Sequence, residues 1–399
     1  MARAETADVE RLADRIAPHL RPGCRVAIAD GAGAPVGLGS ALAEAARRVG
    51  GVRLLLGWSF ELPVPDDPVA FPEVRTLIGG YALRRAFPGR LQYLPVRLSA
   101  IPALFTSAWR PDVLLAGLRP GLSFGSEVAW MRAAVDAGAH VLAEVNHGLP
   151  AATREPPLDP GRVTVVSEVD RPPLALPRPR VDDVSDAVGR HVAALVRSGS
   201  AVQFGPGTIG DATLRALEVP VRIDSGIVGD AVVDLDRRGL LQGVPLATYV
   251  AGTADVFRWA DGRAITARLE HTHDLTRLSS QPLVAVNTAL EIDATGQVNV
   301  EGFGGDVVAG VGGHPDYAAA AARSLRGLSV IALPTVRGGR PTLVERLSAP
   351  TSTTRSDVDV VVTEHGSADL RGRTDAERAA ALRELWPNVH EAAADRADS

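Results

Sequence analysis

The chain has 399 residues, enough for two ordinary domains, and its 46% hydrophobic and 22% charged residues fit a packed globular protein rather than a disordered one. A formal net charge of −5 gives no electrostatic footprint for nucleic acid or anionic lipid. The single cysteine, Cys24, excludes an intrachain disulfide. No run of about 18 apolar residues marks a membrane span, and the polar start, MARAETADVERLADRI, lacks a signal-peptide apolar stretch; the expectation is a soluble cytoplasmic protein.

In chain order, the first half reads as an amphipathic N-terminal helix, then strands at "RVAIAD", "VRLLLG", "DVLLAG" and "HVLAEVN", with "AWMRAAVDAGAH" as a covering helix. The second half has strands at "LVAVNTALEID", "LSVIALP" and "VDVVVTEHG", and a helix at "TDAERAAALRELW". Several of these strands are continuous apolar runs, as expected where a sheet is covered on both faces. The last residues, "EAAADRADS", read as a frayed end.

A repeat organises the chain. "RIAPHLRPGCRVAIADGAGAPVGLGSAL", from Arg15, matches "HVAALVRSGSAVQFGPGTIGDATLRAL", from His191, at a constant offset of 176 that pairs Gly23 with Gly199, Val26 with Val202, Gly31 with Gly207 and Leu38 with Leu214. Each copy is a helix, a glycine turn, a short strand, a glycine loop and a second helix. The predicted fold is α/β, two tandem open-sheet domains facing each other across a cleft. The proline-rich stretch "EVDRPPLALPRPRVDDVSD", from Glu168, cannot continue a helix or a central strand. It reads as a surface linker over 171–186, between domains at 1–170 and 187–399.

Glycine loops between strand and helix let backbone N–H groups approach a phosphate or an oxyanion. Three occur: "DGAGAPVG" from Asp30, "FGPGTIGDA" from Phe204 and "AGVGGHPDY" from Ala309. The second, with Gly205, Gly207 and Gly210 followed by a strand ending at Asp224, has the outline of a dinucleotide-binding fingerprint. Against a nicotinamide cofactor, the first copy places Pro35 in its turn.

The later motifs are similar to those of the acetyl-CoA hydrolase/transferase family, which includes 4-hydroxybutyrate and acetate CoA-transferases. "VAVNTALEIDATGQVNVE" from Val284, "AGVGGHPDY" from Ala309 and "VVTEHGSADLRGRTDAERAAAL" from Val361 carry the resemblance most specifically, with support from "YLPVRLSAIPALF", "DVLLAGLRPGLSFG" and "VLAEVNHGLP". The resemblance implies two CoA-transferase-type domains, coenzyme A as part of the substrate rather than a permanently bound cofactor, an acyl-CoA substrate and a homodimer. It also implies a glutamate nucleophile that forms a glutamyl-CoA thioester. When the shared "VVDL" is aligned, Gly226 of "IDSGIVGDAVVDL" stands where that glutamate is expected, with Asp224 and Ser225 just before it.

A glycine offers no nucleophile. The expectation is therefore direct hydrolysis, or cleavage of a β-keto or cyclic acyl-CoA, by a water-using site. Asp224 or a neighbouring carboxylate is its general base, and glycine-loop amides (Gly205, Gly207, Gly310, Gly312, Gly313) hold coenzyme A or the oxyanion. A transferase using a displaced carboxylate and an acyl-CoA-binding pseudoenzyme are the alternatives, with a dehydrogenase behind them. Ser225 is a candidate nucleophile, and Glu144, Asn146 and Glu364 end strands where a ligand can reach them. Asp224 also reads as a turn or cap aspartate. His271 and His273 of "HTH" read as alternating on one strand face, with no third metal ligand at a clear spacing. Cys24 and the five tryptophans read as core, and "GWSFELPVPDDPVAF", from Gly57, as a contributor to the acyl pocket.

Overall fold

The computed structural model describes residues 2–80 and 82–387; "EAAADRADS" lies outside them. The first half builds a seven-stranded, wholly parallel sheet. Its strands are β1 (Arg25–Ile28), β2 (Arg53–Leu56), β3 (Glu73–Thr76), β4 (Leu91–Tyr93), β5 (Val113–Leu118), β6 (His140–Asn146) and β7 (Val163–Val169). Their order is β4-β3-β2-β1-β5-β6-β7, so the sheet reverses direction of growth between β1 and β5. Helices Ala2–Ile16 and Gly39–Val49 pack together on one face. The second ends at Gly50, whose φ of +91° and N–H bonds back to Ala46 and Arg47 close the helix as only glycine does cheaply.

The second half builds a six-stranded sheet from β8 (Ala201–Phe204), β9 (Arg222–Ile223), β10 (Leu283–Thr288), β11 (Leu328–Ala332), β12 (Val360–Thr363) and β13 (Gly366–Asp369), in the order β13-β12-β11-β10-β8-β9. Only the β12–β13 pair is antiparallel. The offset of 176 carries β1 onto β8 residue for residue, and Gly23 and Gly199, which it pairs, both adopt positive φ (+68° and +79°).

Buried central strands are mostly apolar: all six residues of β5 are buried, as are five of six in β10. That is why they are legible as unbroken runs. The edge strands β4, β7 and β9 and the next-to-edge β3 carry no such signal, and β9 is only two residues long.

Between β7 and the helix Asp183–Ala193, residues 170–182 carry neither helix nor strand, and the helix starts where the Asp182 carboxylate accepts from Ser185 N. This segment is tied to both halves: Leu174 N donates to Ala32 O and Leu176 N to Gly252 O, each at 2.8 Å. The halves are further locked by Val250 N donating to Ser126 O (2.7 Å), Thr266 N to Ala152 O (2.7 Å) and Leu98 N to Gly312 O (3.0 Å). One hydrophobic core runs through both, from Trp130 and Phe105 to Phe204 and Val232. "HTH" is not a strand. Leu269–Thr272 is a helical turn with His273 at its C-terminal cap, because Thr272 and His273 close back on Arg268 and Leu269.

Candidate active site

In an open α/β sheet ligands bind beyond the carboxyl ends of the strands, where the strand order reverses. Here two such ends face each other. A cavity of about 230 Å³ lies between Asp30 after β1, Trp58 after β2, Leu77 and Ile78 after β3, and Gln203 to Pro206 at the end of β8. Asn287 and Thr288 of β10, Gly226, Tyr249, His273 and the loop Ala309–His314 complete it.

Asp30 is the cavity's carboxylate and is 2% exposed. Three donors hold it: Trp58 N (2.7 Å) and Trp130 Nε1 (2.9 Å) on Oδ2, and Tyr249 OH (3.0 Å) on Oδ1. Burial lifts its pKa from 3.8 to about 6 against those hydrogen bonds, which is the range of a base that works at neutral pH. Behind it, Glu127 is buried under the first glycine loop, where it takes the Gly33 N–H on both oxygens (3.1 and 3.2 Å). Burial, with the nearby Asp30 charge adding, raises Glu127 to about 8, so at neutral pH it carries a proton.

Among the described residues, buried polar atoms on the cavity wall without a hydrogen-bond partner include Gln203 Oε1, Asn287 Nδ2, His273 Nε2 and His314 Nε2. Gln203 Nε2 donates to Asn287 Oδ1 at 3.3 Å, so the amide pair presents one free acceptor and one free donor whichever way it is turned. Such groups inside a closed protein cost stability unless a ligand satisfies them. Burial, with the Arg277 charge adding, drives His273 down to about 3, and burial drives His314 to about 4. Both imidazoles are neutral in the physiological range.

Gly205, Gly310, Gly312, Gly313 and Gly226 line the cavity. Gly207 does not; it caps the helix Thr208–Ala216 at φ +125°, in an adjoining chamber of about 300 Å³. A methyl group at Gly226 would meet nothing closer than 3.9 Å, at Thr248 Oγ1 and Tyr317 Cε2.

Asp224 is placed differently from expectation and does not line the cavity. Arg277 grips it through two bonds (2.5 and 3.0 Å), and Gln281 Nε2 donates to it at 2.7 Å, so it is held in a buried ion pair away from the cavity. Ser225 Oγ bonds the Phe204 carbonyl (3.1 Å) and tacks its segment to β8. Glu144 pairs with Arg171 of the segment after β7, and Asn146 Oδ1 accepts from Gly148 N (3.0 Å) and Arg171 N (3.1 Å). Glu364 accepts from Thr335 N at 2.9 Å. These residues hold chain segments together and stand outside the cavity.

Asp30, Gln203, Asn287 and Tyr249 are the cavity residues that spacing did not single out, and His273 reads from the sequence only as a candidate metal ligand. A signal existed for two of them: Gln203 and Asn287 are polar residues inside otherwise apolar strands.

Fold and cavity define an α/β protein with a cleft of about 230 Å³ beyond the strand ends of its two sheets. Residues 252–387 match the family model of the acetyl-CoA hydrolase/transferase C-terminal domain. The chain is 30% identical over 361 residues to the succinyl-CoA:acetate/propanoyl-CoA:succinate CoA transferase of Fasciola hepatica, covering 84% of this chain and 75% of that one. It is 29% identical over 328 residues to the 4-hydroxybutyrate coenzyme A transferase of Clostridium kluyveri, 76% of each chain. The crystal structure of 4-hydroxybutyrate CoA-transferase from Porphyromonas gingivalis superposes with a TM-score of 0.78 at 24% identity over 96% of this chain and 97% of that one, which shows the shared fold. The chain belongs to the acetyl-CoA hydrolase/transferase family. It is an enzyme of the acyl-CoA hydrolase/CoA-transferase type.

Proposed function

We propose that this enzyme cleaves an acyl-CoA thioester with water, without a glutamyl-CoA intermediate. The observation that carries the reading is the cavity wall itself. Gly226, which by resemblance stands at the nucleophile's position, leaves open space, while Asp30 is the carboxylate that lines the cavity.

Asp30 takes a proton from water as the water oxygen bonds to the thioester carbonyl carbon. The resulting oxyanion is met by Asn287 Nδ2 and by N–H groups of the Gly310–Gly313 loop, donors fixed in place before the reaction starts. Collapse breaks the C–S bond. The proton on Asp30 passes to the departing sulfur, giving free acid and CoA–SH. Burial keeps Asp30 basic enough for both transfers.

One alternative has its own support. Asp30, being a carboxylate on the wall, is also placed to attack the thioester itself and run CoA transfer.

The test is CoA release, followed with a thiol reagent over a panel of acyl-CoAs, with and without acetate or succinate. Release without added acid is expected, with kcat/KM rising through about pH 6 as Asp30 loses its proton. Asp30→Asn should lower it by roughly 100-fold or more. Release only in the presence of an acid, with CoA appearing on that acid and hydroxylamine trapping an activated Asp30, would replace hydrolysis by transfer. Undiminished release by Asp30→Asn would remove Asp30 from either mechanism.

A further inference from the structure

Gln203 and Asn287 are amide side chains on the cavity wall, and the sheet does not need them. Gln203 on β8 pairs across with Ala285 of β10, and Asn287 lies two residues further along β10, so both side chains leave the same face of the sheet. They are 4% and 3% exposed. In the first sheet the offset of 176 puts Ala27 in the place of Gln203, and the register of β1 on β5 puts Ala116 in the place of Asn287. Both alanines are fully buried. The same architecture is thus closed by two methyl groups in one half and carries two amides in the other.

The amides bond each other once, Gln203 Nε2 to Asn287 Oδ1 at 3.3 Å. Gln203 Oε1 and Asn287 Nδ2 have no hydrogen-bond partner. A buried amide left half-satisfied costs stability, and a pair that served only to join the two strands would gain nothing from it. A free acceptor beside a free donor fits a ligand that offers an accepting oxygen next to a donating hydroxyl. The tetrahedral centre made by adding water to a thioester is such a group, with O⁻ and O–H on one carbon. The centre made by attack of a carboxylate carries O⁻ and an ester-type oxygen without hydrogen, and would leave the acceptor unmet.

We propose that the amide pair binds the hydrolytic intermediate through both of its oxygens, with Asn287 Nδ2 donating to the oxyanion and Gln203 Oε1 accepting from the hydroxyl. This rests on the hydrolytic reading above, in which Asn287 already meets the oxyanion, and adds Gln203 as a further catalytic residue. As the water oxygen bonds to the carbonyl carbon, one of its protons goes to Asp30 and the other points at Gln203 Oε1. A water held by two acceptors turns its lone pair to the carbon. When the C–S bond breaks, the proton on Asp30 goes to sulfur, the second proton leaves with the acid product, and the amide pair is restored unchanged.

The experiment measures binding, so that it does not depend on turnover. Calorimetry would compare two CoA analogues with a methylene in place of the thioester sulfur, one carrying an acetyl and the other a trifluoroacetyl group. The first stays a ketone in water. The second adds water and stands as a gem-diol, with two hydroxyls on the carbon that corresponds to the thioester carbonyl. The trifluoro analogue is expected to bind the wild type about a hundredfold more tightly than the methyl ketone. In Gln203→Met that ratio should fall about tenfold, with binding of the methyl ketone little changed. Gln203→Glu, whose carboxyl oxygen keeps an acceptor in place, should retain most of the ratio. If the Met variant does not fold, fluorine NMR of the wild-type complex decides: a bound gem-diol is expected, and a bound ketone overturns the inference. A ketone joined covalently to Asp30 overturns it together with hydrolysis, in favour of transfer. A ratio near one in the wild type, or a ratio undiminished in Gln203→Met, overturns the inference alone, since both analogues still bind. Failure of CoA and both analogues to bind overturns the acyl-CoA reading with it.

Discussion

The first and second glycine loops follow strands that the repeat superposes, yet they have opposite fates. The first is filled by the protein's own side chains. A methyl group at Gly31 would come within 2.9 Å of Glu127 Oε2, one at Gly33 would run into Glu127, and one at Gly37 into Glu144. The second is open. A methyl group at Gly205 would have Thr288 Oγ1, at 4.0 Å, as its nearest neighbour.

Register gives the reason. Ile28 pairs with Leu115 and Phe204 with Val286, so Gly117 and Thr288 occupy equivalent positions two residues further on. Gly117 has no side chain, and the Gly33 carbonyl settles where its Cβ would be. Thr288 holds its loop off. The same backbone device thus gives the Gly33 amide to an internal acid in one half, whereas in the other Gly205 N bonds the Val286 carbonyl and the residue lines the cavity.

The largest effect that would break this comparison is at Gly117. Gly117→Thr gives the first strand the second strand's residue, but the collision is with backbone, which cannot turn aside. A loss of about 3 kcal/mol is expected from overpacking of this kind. It should appear as a fall in the urea midpoint with an unchanged slope. Wild-type stability would mean that the first loop is free to rise, and that its closed state is not set by Gly117.

Next in size is a pH effect confined to the filled loop. Glu127 has a folded pKa of about 8 against 4.5 ordinarily, and Asp30 about 6 against 3.8. The folded state therefore binds more protons than the unfolded chain above pH 4.5. The stability these groups contribute is fully present below the unfolded pKa values and is lost as pH rises towards 8. Each group accounts for at most about 1.4 kcal/mol per pH unit. Glu127→Gln keeps an acceptor for Gly33 N and cannot ionise. Its urea midpoint should fall less between pH 5 and pH 8 than that of the wild type. Parallel curves for the two proteins would mean that Glu127 ionises normally despite its burial.

What the sequence shows and hides follows the same division. Apolar strands are local patterns, and they disclose the strands of the two sheets. Gly205, Gly310, Gly312 and Gly313 are read from loops whose backbone any ligand-facing turn requires, and all four lie on the cavity wall. Side-chain roles depend on partners far away in sequence. Asp224 looks available until Arg277, 53 residues on, is brought against it. Asp30 looks like a turn residue until Trp58, Trp130 and Tyr249, at separations of 28, 100 and 219 residues, converge on its carboxylate. His273 reads as part of a strand because alternation of two histidines resembles one, whereas backbone bonds to Arg268 and Leu269 wind it into a turn.

The smallest effect is the sharpest test of which loop meets the ligand. Gly205→Ala places a methyl group where nothing lies within ordinary contact, at a residue without positive φ. Its stability should stay within about 0.5 kcal/mol of wild type. Because Gly205 lines the cavity, the same methyl should raise KM for acyl-CoA several-fold. Gly31→Ala should do the reverse. Its φ of +88° and its contact with Glu127 cost stability, while Gly31 does not line the cavity and KM should hardly change. If Gly205→Ala leaves KM untouched and Gly31→Ala raises it, the filled loop opens in solution and the ligand enters on the first sheet's side.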